Sequence, residues 1–488
     1  MPRVPKGART WLTPAAWVAA VSGLLLLLFP VGFPNYDTIY ALVWGRELAH
    51  GQSPDYGAAL PPTPHPLADL LGLVTTPIGD GAITVTMIVA YVSLALCGYL
   101  VYRLGSIWFD RWIGAVAAAI VLTRAPFLSN GLRAYVDLPY IALCLGALTI
   151  EAKRPKAGWP VLALLALAGL LRPEAWGFSI AYWLWLALDL RPTGRKPVTW
   201  TGNRPVGELV WLGALALAGP VLWVLFDAVT AGGPLYSLTG TQETVETLDR
   251  HTGPVDVLLY GPRALGEVLQ WPGMVGALGG VVLGFLYLRR RSLLGLAAAA
   301  LALLAFAFLG AAGLAIIARY TMLAAAILSI FVAVALLGWR LLEPGHPARR
   351  PWQAFAGIVA LMFVLWLPNQ WDLDSRVDSD LTNQARIEDD LTDLVDAGAF
   401  EPLCGKVAVP NHRAVPRLAF GLDVEPTQIV SASEEGIPRR GYFVAPASDF
   451  VIHNFILDPN DPTRFSLKSP SGFREVARNE SWRLYRRC

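Results

Sequence analysis

Residues 11–51, WLTPAAWVAAVSGLLLLLFPVGFPNYDTIYALVWGRELAHG, decide how the rest of the chain is read. The first part, Trp11 to Pro30, stays apolar for about 20 residues, the length that crosses a bilayer. Arg3, Lys6 and Arg9 precede it, as in a secretory signal. No small-residue cleavage site follows, so the run reads as a retained first helix. The second part begins at Phe33-Pro-Asn-Tyr-Asp37 and continues from Thr38 to His50 with apolar residues at helical spacing. A membrane span is thus followed at once by a carboxylate and an amphipathic segment.

The remainder has the same character. Of 488 residues, 55% are hydrophobic and only 16% charged, and the mean hydropathy is +0.47. That is too apolar for a protein wetted over its whole surface. A net charge of +2 supplies no basic field for nucleic acid, and membrane lipids are the expected surroundings. Apolar runs near 12–31, 82–102, 112–123, 138–151, 158–171, 175–189, 207–228, 272–288, 293–312, 319–338 and 352–367 predict about eleven transmembrane helices. Several between 112 and 189 are short for a hydrocarbon layer of roughly 30 Å and are expected to tilt or to stop inside the protein.

Basic residues set the orientation. Counting from a cytoplasmic N-terminus, Arg103 and Arg111, then Lys153, Arg154 and Lys156, then Arg191, Arg195, Lys196 and Arg204, then Arg289 to Arg291, then Arg340, Arg349 and Arg350 fall in alternate loops. Those loops are cytoplasmic by the positive-inside rule, in a multi-pass protein of the cell (plasma or inner) membrane. The outer side then holds the long first loop, 32–81, another near 229–271, and the C-terminal part. Within the first loop, Thr38 to His50 and Pro66 to Pro77 predict two short helices lying on the membrane surface. No internal repeat of the kind common in transporters is present.

From Asp372 onward the texture becomes polar. An acidic helix is expected around 378–397, then short apolar stretches at Lys406 to Val409, Gln428 to Val430 and Tyr442 to Val444. Phe473 to Arg478 and Ser481 to Arg486, separated by Asn479-Glu480, predict a hairpin. The division expected is a transmembrane domain, 1–368, and a small extracytoplasmic α/β domain, 369–488. Cys97 and Cys144 lie in apolar runs and read as packing residues. Cys404 and Cys488 are disulfide candidates, able to pair only outside the cytoplasm. Such a bond closes a loop of about 85 residues, worth on the order of 4 kcal/mol in the chain-entropy model.

The residues that could carry chemistry collect at the outer helix ends. Asp37 heads the first loop helix, where it reads either as an N-cap or as a carboxylate at the water–membrane boundary. Asp137, in Leu132-Arg-Ala-Tyr-Val-Asp137, again reads as a cap, with a local ion pair to Arg133, or as a second cavity acid. Arg172-Pro-Glu174 sits at a short outer turn, and charges at such depth imply either an internal ion pair or a hydrated cavity. Arg319-Tyr320 opens the tenth run, and His65-Pro66-Leu67 opens the second loop helix. A lone histidine is more often a structural hydrogen-bonder than a ligand. There is no metal-ligand spacing, nucleophile elbow or phosphate-binding glycine loop.

Together these residues resemble the GT-C superfamily of polytopic glycosyltransferases, which take sugars from polyprenyl-phosphate carriers. The resemblance rests on Asp37, on Trp44-Gly-Arg-Glu-Leu-Ala-His-Gly51, on Pro54-Asp-Tyr56 and His65-Pro-Leu67, and then on Asp137, Arg172-Pro-Glu174 and Arg319-Tyr320. It covers the organisation of nearly the whole chain. Where some protein-mannosylating members carry two adjacent acids, this chain has Asp37-Thr38.

The resemblance implies Asp37 as general base in an inverting transfer from a polyprenyl-phosphate-linked sugar to a hydroxyl of a glycan, lipid or cell-wall polymer. It implies Arg319, Arg133 and Arg172 as cations for the donor phosphate. Asp137, Glu174, His65 and Tyr320 are expected around the acceptor or behind those arginines. No soluble cofactor is required, and a divalent metal is allowed but not demanded. Two other classes answer to the same composition: a transporter or flippase of lipid-linked sugars, which would want its polar groups near the midplane, and a non-enzymatic receptor or scaffold working through its outer domain.

Overall fold

The structure is a computed structural model that describes residues 14–188, 204–457 and 471–488. Arg3, Lys6, Arg9 and Trp11, the flank and start of the first run, lie outside the described residues, as do Arg191, Arg195 and Lys196. The chain is an α-helical polytopic membrane protein with a small C-terminal α/β domain. Each of the eleven apolar runs is mainly helical over its described residues. Among the described residues five helices are long and apolar enough to cross a membrane, and seven if each of two bent pairs counts as one span. In one pair Arg111–Leu122 meets Ala125–Leu132 at 62°, and in the other Val206–Ala216 meets Ala218–Thr230 at 43°. Asp137–Lys153, Trp159–Gly169 and Glu174–Ala187, with 17, 11 and 14 residues, fall short of a full crossing.

Met322–Leu337 is the axis of the membrane body, buried from Met322 to Ala335 and packed against Pro254–Tyr287 and Arg111–Leu122. Around it lies one continuous apolar core. The helix Pro254–Tyr287 is interrupted at Gln270, whose φ of 60° and ψ of 169° are left-handed and unusual for a residue with a side chain, two positions before Pro272.

The final span does not end where composition changes. One helix runs from Arg349 to Asp396, through Pro368, and includes both the last apolar run and the acidic segment expected as a separate helix. The boundary expected between 368 and 369 therefore falls inside a helix. Proline removes one backbone hydrogen bond, and here the loss falls close to where the chain changes from apolar to polar.

Beyond it, five strands form one sheet: β1 (Lys406–Val409), β2 (Ile429–Ser431), β3 (Gly441–Pro446), β4 (Arg474–Arg478) and β5 (Trp482–Arg487). Their order is β2-β1-β3-β5-β4. β1 is parallel to both β2 and β3, and β5 is antiparallel to β3 and β4. The β4–β5 hairpin turns at Asn479, whose Oδ1 accepts from Trp482 N at 2.8 Å. Cys404 and Cys488 form a disulfide across a Cα–Cα distance of 5.8 Å.

The first long loop, 32–81, departs from the surface-lying arrangement expected of it. Its helices are Tyr36–Ala49 and Pro66–Thr75. The first is buried almost all round, from Thr38 to Gly45, and Tyr40, Val43 and Trp44 belong to the same apolar cluster as Ile387, Leu418 and Trp482 of the C-terminal domain. The two loop helices cross so closely that a Cβ on Gly45 would stand 2.3 Å from Leu73 N, and one on Gly72 2.4 Å from Ala41 O. Only glycine allows that approach.

Polar contacts fasten the same helix to the C-terminal domain. Arg46 donates to the carbonyls of Ala419, Phe420 and Val424 at 3.0 to 3.1 Å and pairs with Asp423 at 2.9 Å. Asp55 accepts from Thr427 N at 2.8 Å while its own N–H donates to Glu47 at 2.8 Å. An amphipathic pattern says only that two faces differ. Here the polar face meets protein rather than water.

Candidate functional site

Asn35, not Asp37, caps the first loop helix. Its Oδ1 accepts from Asp37 N at 2.8 Å and Thr38 N at 3.2 Å, and its Nδ2 donates to Arg133 O at 2.8 Å. Thr38 Oγ1 donates to Ala134 O at 2.8 Å. These bonds tie the helix start to the segment before Asp137–Lys153. With capping done by its neighbour, the Asp37 carboxylate is released to face outward, in the first turn, where the helix dipole favours negative charge.

It faces a cavity of about 1570 Å³. Asp37, His65, Arg133, Asp137, Arg172, Glu174, Arg319 and Tyr320 all line it, so the eight residues singled out in the sequence around the outer helix ends come together in one space. Toward the membrane body the wall turns apolar, with Ile180, Leu301, Leu304 and Phe308. Toward the C-terminal domain it includes Gln384 and Glu388 of the long helix.

The ionic contacts divide the cavity into two parts. Arg319 NH1 meets Asp37 Oδ2 at 3.3 Å, and both side chains keep about a quarter of their surface, 24% and 23%. The Arg319 guanidinium lies 5.1 Å from the Tyr135 ring and 5.3 Å from the Tyr320 ring, within cation–π range. Arg172 is enclosed, 7% exposed. It pairs with Asp137 and, at 2.6 Å, with Glu174, and its Nε also donates to both Glu174 oxygens, at 3.1 and 3.3 Å. Tyr320 lies 4.0 Å from the Arg172 guanidinium, so its ring contacts both arginines.

Two local expectations change. Asp137 does not pair with Arg133 four residues before it, but with Arg172. Arg133 instead bonds Ser129 and donates to Gln384 at 3.3 Å, reaching toward the long helix. Arg172, expected on a phosphate, already has three nitrogens donating to its own carboxylates.

His65 precedes the second loop helix without capping it through its side chain. Its ring stands edge-on to Trp223 at 5.8 Å, and its Nδ1 has no partner among the described residues. Burial pulls its pKa down to about 4, opposed in part by Asp37, so the ring is neutral near pH 7. Among the described residues no three His, Cys, Asp or Glu side chains gather as a metal ion would need.

Three contributors, Asn35, Tyr135 and Gln384, are not among the residues that the sequence pattern singles out. Asn35 leaves a signal, since asparagine is a preferred cap two residues before an acid. Tyr135 and Gln384 leave none, because each acts across a long sequence separation.

No family model matches the chain, and no curated protein matches it in sequence. Solved structures do match in fold. ArnT from Cupriavidus metallidurans bound to undecaprenyl phosphate superposes with a TM-score of 0.52 at 16% identity, covering 96% of this chain and 97% of that one. The same protein in the apo state gives 0.54 at 14%, covering 96% and 98%. The likeness covers nearly the whole of both chains, and this chain shares the fold of ArnT.

Proposed function

We propose that this chain is a membrane glycosyltransferase that moves a sugar from a polyprenyl-phosphate carrier to a hydroxyl of a glycan, lipid or cell-wall acceptor. The observation that carries the reading is the Asp37–Arg319 pair. A carboxylate relieved of capping and a guanidinium, both partly open, stand 3.3 Å apart in a cavity whose wall becomes apolar toward the membrane. The likeness to ArnT bound to undecaprenyl phosphate supports a lipid-phosphate donor.

The chemistry is one displacement. The acceptor oxygen bonds to the anomeric carbon as the bond from that carbon to the phosphate oxygen breaks, so configuration inverts. The acceptor's proton passes to Asp37, a step worth about two to four powers of ten. The electron pair leaves with the polyprenyl phosphate, whose charge Arg319 takes up through its planar fork. Base and leaving group must lie on opposite sides of the sugar, so turnover requires the Asp37–Arg319 contact to open around the ring.

Arg133 is the second cation within the cavity, while Arg172 serves to hold Asp137, Glu174 and Tyr320 in place. Neutral His65 suits a hydrogen bond to an acceptor hydroxyl. The disulfide supports a C-terminal domain outside the cytoplasm, and with it an N-terminus inside. The C-terminal domain, through Gln384 and Glu388, forms the lid side of the acceptor space. The displacement requires no metal in this reading, and activity that survives a chelator in the assay is the expected result.

The test is sugar transfer by purified protein from a panel of radiolabelled polyprenyl-phosphate sugars, with wild type compared to Asp37→Asn. The expected result is turnover of one donor by wild type, and donor binding without turnover by the variant. Equal activity of the two removes Asp37 as base. Movement of donor across a bilayer without release of polyprenyl phosphate makes the protein a transporter instead.

A further inference from the structure

A second polar site lies outside the cavity just described. A groove of about 740 Å³ opens between Arg111–Leu122 and the long helix Arg349–Asp396, lined mostly by apolar side chains such as Val116, Ile120, Phe363 and Leu367. Leu367 and Trp371 on its rim are 61% and 73% exposed, so it faces the lipid. The break in the bent pair of helices places Arg124 in its wall, 5% exposed. Arg124 NH1 donates to Gln270 at 2.9 Å, the residue with left-handed backbone, which is also held by Trp366 Nε1 at 2.7 Å.

Two enclosed polar atoms of this groove have no partner among the described residues. One is a donor, Arg124 Nε, and the other an acceptor, Gln370 Oε1. Gln370 spends its amide nitrogen on Thr123 O at 2.7 Å and Asp374 Oδ1 at 2.9 Å, which also ties up the only acid in the lining. No carboxylate pairs with Arg124 among the described residues. Asp374, the acid in the lining, acts on Arg124 electrostatically without forming an ion pair with it, so a buried cation at the head of an apolar groove still gains from an anionic group that makes direct contact.

We propose that this groove binds an anionic glycerophospholipid: acyl chains along the apolar wall, the phosphate on Arg124, and a hydroxyl of the headgroup donating to Gln370 Oε1. Charge and hydrogen-bond complementarity select that occupant over a zwitterionic lipid without a hydroxyl. The site is independent of the sugar-transfer reading, since none of its lining residues lines the larger cavity.

Native mass spectrometry of the full chain in detergent, titrated with phosphatidylglycerol or phosphatidylcholine, tests it. The expected result is one phosphatidylglycerol retained at least about tenfold more tightly than phosphatidylcholine, the worth of one charge-assisted hydrogen bond. That preference should vanish in Arg124→Gln. Leu367→Trp, which fills the groove from its lipid-exposed rim and leaves Arg124 in place, should weaken retention of both lipids and serves if Arg124→Gln does not fold. Equal retention of the two lipids by wild type, or undiminished phosphatidylglycerol binding in Leu367→Trp, overturns the proposal. So does displacement of the bound lipid by equimolar polyprenyl phosphate.

Discussion

Arg319 and Arg172 share contact with one tyrosine ring, that of Tyr320, and their ionic surroundings are opposite. Arg319 has a single carboxylate at 3.3 Å and both partners keep about a quarter of their surface. Arg172 has two carboxylates and almost no exposure on any of the three. The first pair is loose enough for a substrate to enter. The second has exchanged water for internal partners, and breaking such a group leaves uncompensated charge in a poorly solvated place. Nearness to a cavity therefore does not by itself mark a residue as chemical; what matters is how much of its hydrogen-bonding capacity is already used.

That contrast can be broken by experiment. Asp37→Asn should lower kcat by about 10² to 10⁴ while leaving thermal stability within about 1 kcal/mol of wild type. Arg172→Met should do the reverse, costing about 3–5 kcal/mol of stability by exposing Asp137 and Glu174 to each other, with activity per folded molecule far less affected. Denaturation curves and single-turnover rates on the two variants decide the matter. If Arg172→Met folds normally and loses all turnover, the division between the two arginines is wrong.

A finer comparison substitutes lysine at both positions. Arg319→Lys keeps the charge and loses the fork, so donor KM should rise by roughly tenfold with little change in melting temperature. In Arg172→Lys the triad loses most of its bonds, and the melting temperature is the quantity that falls. Asn35→Ala, which removes the cap beneath Asp37, should cost about 1 kcal/mol, visible in chemical denaturation.

The smallest effect expected is one of pH. Burial pushes the Glu47 carboxyl up to about 7, against the hydrogen bond it accepts from Asp55 N. A carboxyl with its folded pKa raised contributes stability that is fully present below its unfolded value, near 4.5, and lost as pH rises through about 7. Docking of the first loop on the C-terminal domain should thus weaken between pH 5 and pH 8. In Glu47→Gln, hydrogen exchange at the Arg46–Asp423 contact should lose that dependence.

Much of this organisation is legible in the amino-acid order alone. The eleven runs are helices because apolar length is a strong signal, and the singled-out residues gather in one cavity because hydropathy places all of them at run ends on one side. The β4–β5 hairpin follows from Asn479-Glu480 between alternating stretches. Pairing at a distance is what the order of residues does not reveal. Arg133 and Asp137 are natural partners by their spacing of four, yet Arg172 comes closer to Asp137 through the packing of two neighbouring helices. Asp37 has the position of a cap in the chain, but Asn35 holds that place in space. The first loop helix has the pattern of a surface helix, and nothing local announces that Arg46 will meet carbonyls some 370 residues away.

The helix from Arg349 to Asp396 extends, at 1.5 Å per residue, over about 70 Å. It enters the body beside Met322–Leu337 and supplies Gln384 to Arg133 and Ile387 to the core beneath the sheet. Such a shaft fixes angular phase as well as length: each added residue turns everything beyond it by about 100°. A one-residue insertion between Trp371 and Asp378 would swing Gln384 off Arg133 and turn the C-terminal domain away from Arg46, though no contacting side chain had been altered. An insertion of seven, close to two whole turns, would restore the phase while lifting the domain by about 10 Å. The two insertions thus separate what the domain contributes by its orientation from what it contributes by its height.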